Sequence, residues 1–157
     1  MADTLNSTFY AMRVFLVLLA LLAGCRSTPA TSDSFTTREV RLPDGAKILT
    51  EIKATNEDRA QGMMFRDSLA ADRGMLFVHE RPGTYGYWMF NCRIPLDIVW
   101  LDSGKTVVEM SADTPPCKTD ASQCPSYGGK QTSQFVVELQ SGSIARHGIK
   151  VGDKINF

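Results

Sequence analysis

The sequence lacks several features on which common enzyme classes depend. It contains no glycine-rich phosphate loop and no nucleophile elbow. Its two histidines, His79 and His147, lie in separate segments and in no recognised metal-binding spacing. These absences lower the expectation of an enzyme, and the sequence predicts neither a metal site nor a cofactor.

An excess of charge of either sign is also missing. The 17 basic residues balance the 17 acidic residues, so the formal net charge is zero. Binding to nucleic acid needs a basic face, and steering of a charged partner needs a net field. The composition therefore argues against a nucleic-acid partner.

The longest hydrophobic run is too short to cross a bilayer. Residues 14–23 are ten consecutive apolar residues behind Arg13, whereas a span needs about 20. The run fits the apolar region of a secretory signal. The following Leu22-Ala23-Gly24-Cys25 resembles the lipobox of bacterial lipoproteins, which implies cleavage before Cys25 and a lipid on that cysteine. An uncleaved anchor and ordinary signal cleavage are the alternatives.

These signals divide the chain into three parts. Residues 1–24 form the predicted lipoprotein signal peptide, with Met1 or Met12 as its start, and residues 25–34 form a flexible tether because they are small, polar and broken by Pro29. Residues 35–157 form a single globular domain. The expected location is the bacterial cell envelope, facing the periplasm, with the membrane as a partner through the lipid on Cys25. By analogy with other lipoproteins, Arg26 favours the outer membrane in a Gram-negative source.

The domain shows short alternating runs separated by turn signals. Pro43-Asp44-Gly45 joins two such runs as a hairpin, and Thr55 precedes acidic residues as a helix N-cap does. About seven strands and two short helices are expected. The predicted fold class is α+β, predominantly antiparallel β and barrel-like.

Residues 84–102 are expected to organise this fold, because no other stretch combines so many aromatic, β-branched and polar residues. Most of a core is predicted from this stretch: Trp88, Phe90, Ile94, Leu96, Ile98 and Trp100. Tyr87 and Trp88 face opposite sides of a strand, and Trp88 is expected to take the core role. Asn91 and Asp97 put polar groups where the pattern predicts burial, which is the main functional signal.

Four separated blocks of the chain resemble a known family. They are QGMMFRDSL (residues 61–69), RGMLFV (73–78), YWMFNCRIPLDIVWLD (87–102), and the closing VVELQSG and GIKVGD (136–142 and 148–153). In this order they are similar to the prokaryotic family called domain of unknown function 192. The resemblance implies a compact, mostly β fold with a concave region, and it implies no reaction. Such families usually carry Lys, Thr and Leu where this chain has Phe90, Cys92 and Met63.

Asp97 is the strongest candidate for chemistry. Alternation places it on one strand face with Val99 and Leu101, where an unpaired carboxylate is costly. Arg66, Arg73 and the Asn91 amide are the donors that the sequence offers. The carboxylate acts either as an acid/base or ligand anchor, or as a structural group that holds a turn or pairs an arginine.

The predicted function is binding of a small or peptide-like ligand in a polar cleft. The expected lining residues are Arg66, Trp88, Asn91, Asp97 and Tyr127. One alternative is a hydrolase or lyase that uses Asp97 as acid/base with Arg66 holding an acidic substrate. Another is a structural accessory lipoprotein that docks an envelope protein through an exposed apolar patch.

The cysteines predict one disulfide. Cys117 and Cys124 have six residues between them in a long loop, and export exposes them to an oxidising compartment. The alternative is a zinc site that recruits His79 or Cys92. Cys92 is otherwise the odd thiol, buried and inert. Copper binding by the scattered methionines is a weaker alternative, because thioethers more often fill irregular cores.

Overall fold

A computed structural model describes residues 36–157. The predicted signal peptide, the lipidation residue Cys25 and the tether at 25–34 lie outside these residues. In chain order the elements are β1 (Thr37–Arg41), β2 (Lys47–Lys53), α1 (Asn56–Gln61), β3 (Arg73–Gly83), β4 (Gly86–Trp88), β5 (Leu96–Leu101), β6 (Val107–Thr114), a 3-10 turn (Ala121–Gln123), β7 (Ser126–Gly128), β8 (Ser133–Gln140) and α2 (Ser143–Arg146).

Local signals set several element boundaries. The turn at residues 43–45 joins β1 to β2 as an antiparallel hairpin, as predicted. The Thr55 hydroxyl accepts a hydrogen bond from the Asp58 N–H at 3.1 Å and opens α1. Gly62, at φ 46°, ends this helix after Gln61. Neither helix between residues 36 and 157 has the length and apolarity needed to cross a membrane.

Six strands form one sheet in the order β1-β2-β3-β8-β5-β6, and β4 pairs with β7 in a separate two-stranded ribbon. Only the β2–β3 pair is parallel. The predicted α+β class, rich in antiparallel sheet and with two short helices, is confirmed. The sheet is not a closed barrel, but the last residues connect its edges at one end: Arg41 N–H donates to Asn156 at 2.7 Å, and Val107 N–H donates to Asp153 at 2.8 Å.

The sheet is covered on both faces, so it has two cores. The first core cluster contains Val40, Leu42, Ile48, Leu76, Val99, Leu101, Val107, Val137, Leu139, Ile149 and Ile155. The second core cluster contains Met63, Leu69, Met75, Phe77, Met89, Leu96, Ile98, Trp100 and Val136. Strands β5 and β8 contribute alternate residues to each, and all six residues of β5 are buried. A polar residue in β5 or in the middle of β8, from Val136 to Leu139, is therefore removed from water.

Asp97 is such a residue. It lies on the face of the sheet that carries the first core cluster, where backbone N–H groups donate hydrogen bonds to its carboxylate. One carboxylate oxygen accepts the N–H of Asp113 at 2.8 Å, and the other accepts the N–H of Ile144 at 2.6 Å. The side chain is fully buried. The expectation that Arg66, Arg73 or Asn91 donates to Asp97 is wrong. Main-chain N–H groups from β6 and from the start of α2 donate to this carboxylate instead. These contacts favour the structural interpretation of Asp97.

The β4–β7 ribbon rests on Trp100. The indole N–H of Trp100 donates to the Tyr85 carbonyl at 2.8 Å, just before β4. A Cβ at Gly128 in β7 would lie 2.2 Å from the Trp100 ring, so only glycine lets this backbone lie on the indole. The predicted Cys117–Cys124 disulfide is present, and it links the two ends of the loop that precedes β7.

The expected core role of Trp88 is wrong. Its side chain is 44% exposed, whereas Tyr87 packs edge-on against Phe77 and Trp100, with ring centroids 5.0 and 5.9 Å apart. The ribbon presents only one face to the second core cluster, and the register places Tyr87 on that face. Trp88 consequently points outward.

Replacing Asp97 with Asn tests its structural role. The variant places an amide NH2 against one of the two backbone N–H donors, so one buried donor loses its acceptor and the free energy of unfolding should fall by about 2 kcal/mol. Urea unfolding of the full chain, followed by tryptophan fluorescence, measures the loss. Asp67→Asn, at an exposed ion pair with Arg93, is the matched control and should change stability by under about 0.5 kcal/mol. Equal stability of the two variants would contradict the structural role.

Candidate ligand-binding site

A row of residues crosses the sheet on the face of the second core cluster. The strand registers align Glu51 in β2 with Met75 in β3, Met75 with Glu138 in β8, and Glu138 with Ile98 in β5. Residues aligned in this way project from the same face. The row therefore holds two carboxylates on a largely apolar surface.

The first carboxylate, Glu51, is paired. Both of its oxygens accept from the Arg66 guanidinium, at 2.5 and 2.7 Å, and the Lys53 ammonium lies 3.6 Å away. Burial raises the pKa of Glu51, but the hydrogen bonds and charge of Arg66 and the charge of Lys53 outweigh that effect and lower it overall. The two-pronged geometry is the one in which Arg binds carboxylates best. Arg66 is thus bound to Glu51 and not to Asp97, whose oxygens accept from main-chain N–H groups.

The second carboxylate, Glu138, is not paired in this way. Its side chain is 4% exposed, and its Oε2 atom has no hydrogen-bond partner among residues 36–157. Burial raises the pKa of Glu138 to about 8, although the charge of Arg66 opposes the shift. An unsatisfied buried oxygen costs roughly 1–3 kcal/mol. Glu138 is therefore a polar group that the fold leaves available.

Glu138 faces a small cavity of about 30 Å³. Side chains that enclose it come mainly from the segment after α1 and from the region of β4: Met63, Met64, Phe77, Tyr87, Trp88, Phe90 and Cys92. Arg59 and the α1 terminus complete the wall. The volume admits one or two atoms the size of a water oxygen. The cavity thus has room for a small functional group but not for a whole ligand.

Two strained residues shape the outer side of this region. Phe65 and Asn91 have φ values of 64° and 56°, which non-glycine residues rarely adopt. The Phe65 N–H donates to the Asn91 carbonyl at 2.8 Å, and the Asn91 amide lies 3.9 Å from the Met64 sulfur. The Phe65 ring is 55% exposed. This pair fixes the chain that carries Met63 and Met64 against the chain that carries Phe90.

Cys92 is a free thiol in the cavity wall. Burial, together with the negative charge of Glu138, raises the pKa of Cys92 to about 12. A thiol with so high a pKa is a poor nucleophile, because the thiolate is the reactive form. The arrangement fits the expected inert cysteine and offers no covalent chemistry.

A groove of about 250 Å³ adjoins the cavity. Arg59, Tyr87 and Trp88 line both spaces. In the groove the His79 ring stacks on Tyr85, with centroids 3.5 Å apart, and its Nε2 lies 3.1 Å from the Tyr87 hydroxyl. Burial and then the charge of Arg59 lower the pKa of His79 to about 4, so the ring is neutral at physiological pH. The groove offers flat aromatic surfaces for contact.

The Arg59 guanidinium is occupied by the protein. It donates to the Ala54 carbonyl, to the Val78 carbonyl at 2.9 Å and to the Asn56 side-chain oxygen at 2.6 Å. Its charge acts on His79 and on Tyr87 at the groove. Arg59 thus links α1 to β3. Its positive charge acts at the groove, but its guanidinium N–H groups already donate to protein oxygens.

A larger cavity of about 460 Å³ lies elsewhere and is less favourable. Two of its polar side chains are already hydrogen-bonded: Gln140 donates to the Leu69 carbonyl at 2.9 Å and accepts from Arg146 at 3.4 Å. None of the buried unpartnered atoms belongs to a residue that lines it. Size alone therefore does not identify the binding site. Within residues 36–157, no group of three or more His, Cys, Asp or Glu is placed to hold a metal ion.

Comparison with known proteins identifies the family. Residues 39–157 match the family DUF192, described as "Uncharacterized ACR". The chain belongs to this family. No curated protein matches the chain.

Two solved structures share the fold of this family member. One is a protein of unknown function from Novosphingobium aromaticivorans, 27% identical, with a TM-score of 0.70 over 82% of this chain and 90% of that chain. The other is described as a candidate transcription regulator from Sinorhizobium meliloti, 26% identical, with a TM-score of 0.70 over 78% of this chain and 95% of that chain. Neither description supplies a ligand or a reaction.

Met63, Phe90 and Cys92, the three positions at which the resemblance implies other residues, all line the Glu138 cavity. In this chain these three residues are apolar or weakly polar. Glu138 is the acidic residue of a wall that also contains Arg59 and Gln61.

The structure brings some of the predicted cleft residues together and separates one of them. Trp88 lines the cavity, Asn91 contacts Met64 in its wall, and the charge of Arg66 acts on Glu138. Tyr127 pairs with Tyr87 across the ribbon and packs on the second core cluster. Asp97 alternates with Ile98 and so lies on the opposite face from Glu138. Its proposed acid/base role stays a prediction.

Sequence reasoning missed Glu138, although a signal was present. The run Phe135-Val136-Val137-Glu138-Leu139 is apolar on both strand faces except for one acid, which is the pattern that selected Asp97 in β5. The sequence indicated burial of Glu51 less clearly. In β2 this acid is followed by the apolar Ile52, which is the alternation expected when the acid faces solvent. The Arg66 segment covers it, and such a long-range contact leaves no local pattern.

The buried acid predicts a specific pH dependence of stability. Between the ordinary pKa of 4.5 and the folded value of about 8, folded Glu138 keeps a proton that the unfolded chain has lost. The free energy of unfolding should therefore fall as pH rises, by at most about 1.4 kcal/mol per pH unit. His79 acts in the opposite direction between pH 4 and 6.5, so pH 6.5 to 8 isolates Glu138.

Urea unfolding of the full chain at pH 6.5 and 8 measures this slope. In Glu138→Gln the slope should flatten, and the variant should match or exceed the stability of the wild type at pH 8. Glu57→Gln, at an exposed residue of α1, should retain the wild-type slope. An unchanged slope in Glu138→Gln would show that another group is responsible.

Proposed function

We propose that this protein is a lipid-anchored domain of the bacterial cell envelope that binds a small or peptide-like ligand at the Glu138 cavity and the aromatic groove beside it. The observation that carries the proposal is Glu138, which lines a cavity beside exposed Trp88 and has one buried oxygen without a hydrogen-bond partner among residues 36–157. Retaining such a group costs stability, and a ligand donor repays that cost.

The sizes of the Glu138 cavity and of the aromatic groove suit different parts of one ligand. The groove of about 250 Å³ is slightly smaller than common ligand sites, which enclose about 300–1,000 Å³. Tyr85 and Trp88 supply apolar contact there, and Trp is among the residues that contribute most to binding. The cavity then receives one polar group from the ligand and orients it.

The envelope location rests on separate features. Leu22-Ala23-Gly24-Cys25 has the form of a lipobox, and a disulfide between Cys117 and Cys124 suits an oxidising compartment. The anchor would hold the domain at the membrane through the tether at residues 25–34. It would expose the site to soluble or membrane-bound ligands of the periplasm.

Loss of Trp88 should weaken ligand binding without unfolding the domain, because the side chain is largely outside the core. We expect probes from a panel of dipeptides, tripeptides and small organic fragments to shift amide signals of the full chain at residues 59–62, 85–92 and 138. Trp88→Ala should lower the affinity of such probes at least tenfold. Val151→Ala, another exposed apolar residue, should leave it unchanged. Absence of shifts at these residues, or equal affinity in Trp88→Ala, counts against the site.

The lipid anchor has its own test. Expressed in a Gram-negative host with radiolabelled palmitate, the full chain should take up label and fractionate with membranes. Cys25→Ser should lose both properties, since the acyl chains provide the membrane affinity. Cys92→Ser is the matched control and should keep them. Label retained by Cys25→Ser would place the lipid, and hence the anchor, elsewhere.

A further inference from the structure

We infer that the Glu138 cavity is a receptor for an ammonium group, so that the ligand of the proposed site carries a primary amine. This inference rests on the proposed function and adds the chemical class of the ligand. It starts from two observations on one residue: Glu138 lines a cavity of about 30 Å³, and its buried Oε2 atom has no hydrogen-bond partner among residues 36–157. A group that satisfies it must be small and must donate hydrogen bonds.

The cavity wall favours a cation among such donors. Trp88 and Phe90 lie with ring centroids 5.3 Å apart at 41°, and Tyr87 and Phe77 add two further rings. Faces of aromatic rings attract cations, and tryptophan does so most strongly. The thioethers of Met63 and Met64 are weak acceptors and polarisable neighbours. An anion in this cavity would share it with the Glu138 carboxyl, the acidic group among the lining residues.

The charged groups around Glu138 do not occupy its free oxygen. Arg66, from the segment after α1, is committed to Glu51 of β2 through both guanidinium nitrogens, and Lys53 of β2 also lies near Glu51. Arg59 of α1 donates to Ala54, Val78 and Asn56. The remaining titratable neighbours, Tyr87 of β4 and Cys92, have raised pKa values and stay neutral. Glu138 is left as the acid that an incoming donor meets.

Binding exchanges one cation for another. The carboxyl proton leaves to solvent, and the ammonium N–H groups take its place against the carboxylate, so the net charge of the buried site does not change. This exchange avoids the large cost of adding an uncompensated charge to the interior. It also makes binding compete with protonation of Glu138, whose pKa lies at about 8. Affinity for an amine should therefore rise about tenfold for each pH unit up to that value.

The test uses butylammonium and 1-butanol as probes, because they share a four-carbon chain and differ in charge. Amide shifts of the full chain at residues 59–62, 85–92 and 138 give the affinity of each at pH 6, 7 and 8. Butylammonium should bind at least tenfold more tightly than butanol at pH 8, and its affinity should fall about fiftyfold by pH 6. Calorimetry in two buffers of different ionisation enthalpy should detect proton release.

Glu138→Gln should abolish both the preference for the amine and its pH dependence, whereas Glu57→Gln should preserve them. Proton release by the wild-type chain is the second readout, and it needs no variant to fold. If both probes bind with equal affinity at all three pH values, the ammonium inference is wrong and the proposed binding site stands. If neither probe shifts the site residues, the inference and the proposed site both fail.

Discussion

Burial of the central strands on both faces is the constraint on which the structure depends. Every residue of β5 is buried from solvent, and β8 beside it contributes residues to both core clusters. Any carboxylate on these strands must be satisfied from within, protonated or reserved for a ligand. The fold applies the first solution to Asp97, through the N–H groups of Asp113 and Ile144. It leaves Glu138, one strand away and on the other face, with an oxygen that has no partner among residues 36–157.

The layer that covers the face of the second core cluster leaves a small cavity beside Glu138. That layer contains little regular structure: a three-residue ribbon pair, the segment after α1 and a loop closed by a disulfide. Its position relies on a few specific contacts, including the Trp100 hydrogen bond to Tyr85 and the link between Phe65 and Asn91. Because the backbone of the latter pair is strained, the surrounding contacts must hold it. A cover of this kind can enclose a small cavity that a second regular sheet or helix would fill with side chains.

Sequence patterns predicted the regular parts of the molecule better than this cover. The hairpin before Ala46, the capped helix at Thr55 and the antiparallel-rich α+β class follow from turn, cap and alternation signals that act over a few residues. The role of Trp88 did not, because its exposure depends on which face of a short ribbon meets Trp100. The pairing of Arg66 with Glu51 joins residues 15 positions apart, and no local period records it. The same burial argument that selected Asp97 applies to Glu138, so that part of the site was within reach of the sequence.

The two acids of the second face show how one surface produces two different carboxyl groups. Glu51 and Glu138 occupy the same row across the sheet and differ only in their neighbours. Arg66 binds both oxygens of Glu51 and lowers its pKa, while the same arginine reaches Glu138 only as a distant charge and leaves burial to raise its pKa to about 8. Acids whose pKa values are driven apart in this way have separate roles. Glu51 fixes the covering segment through Arg66, and Glu138 remains able to exchange its proton near neutral pH. The proposed binding at this face would therefore depend on the Arg66–Glu51 ion pair, which positions the covering segment without contacting the ligand.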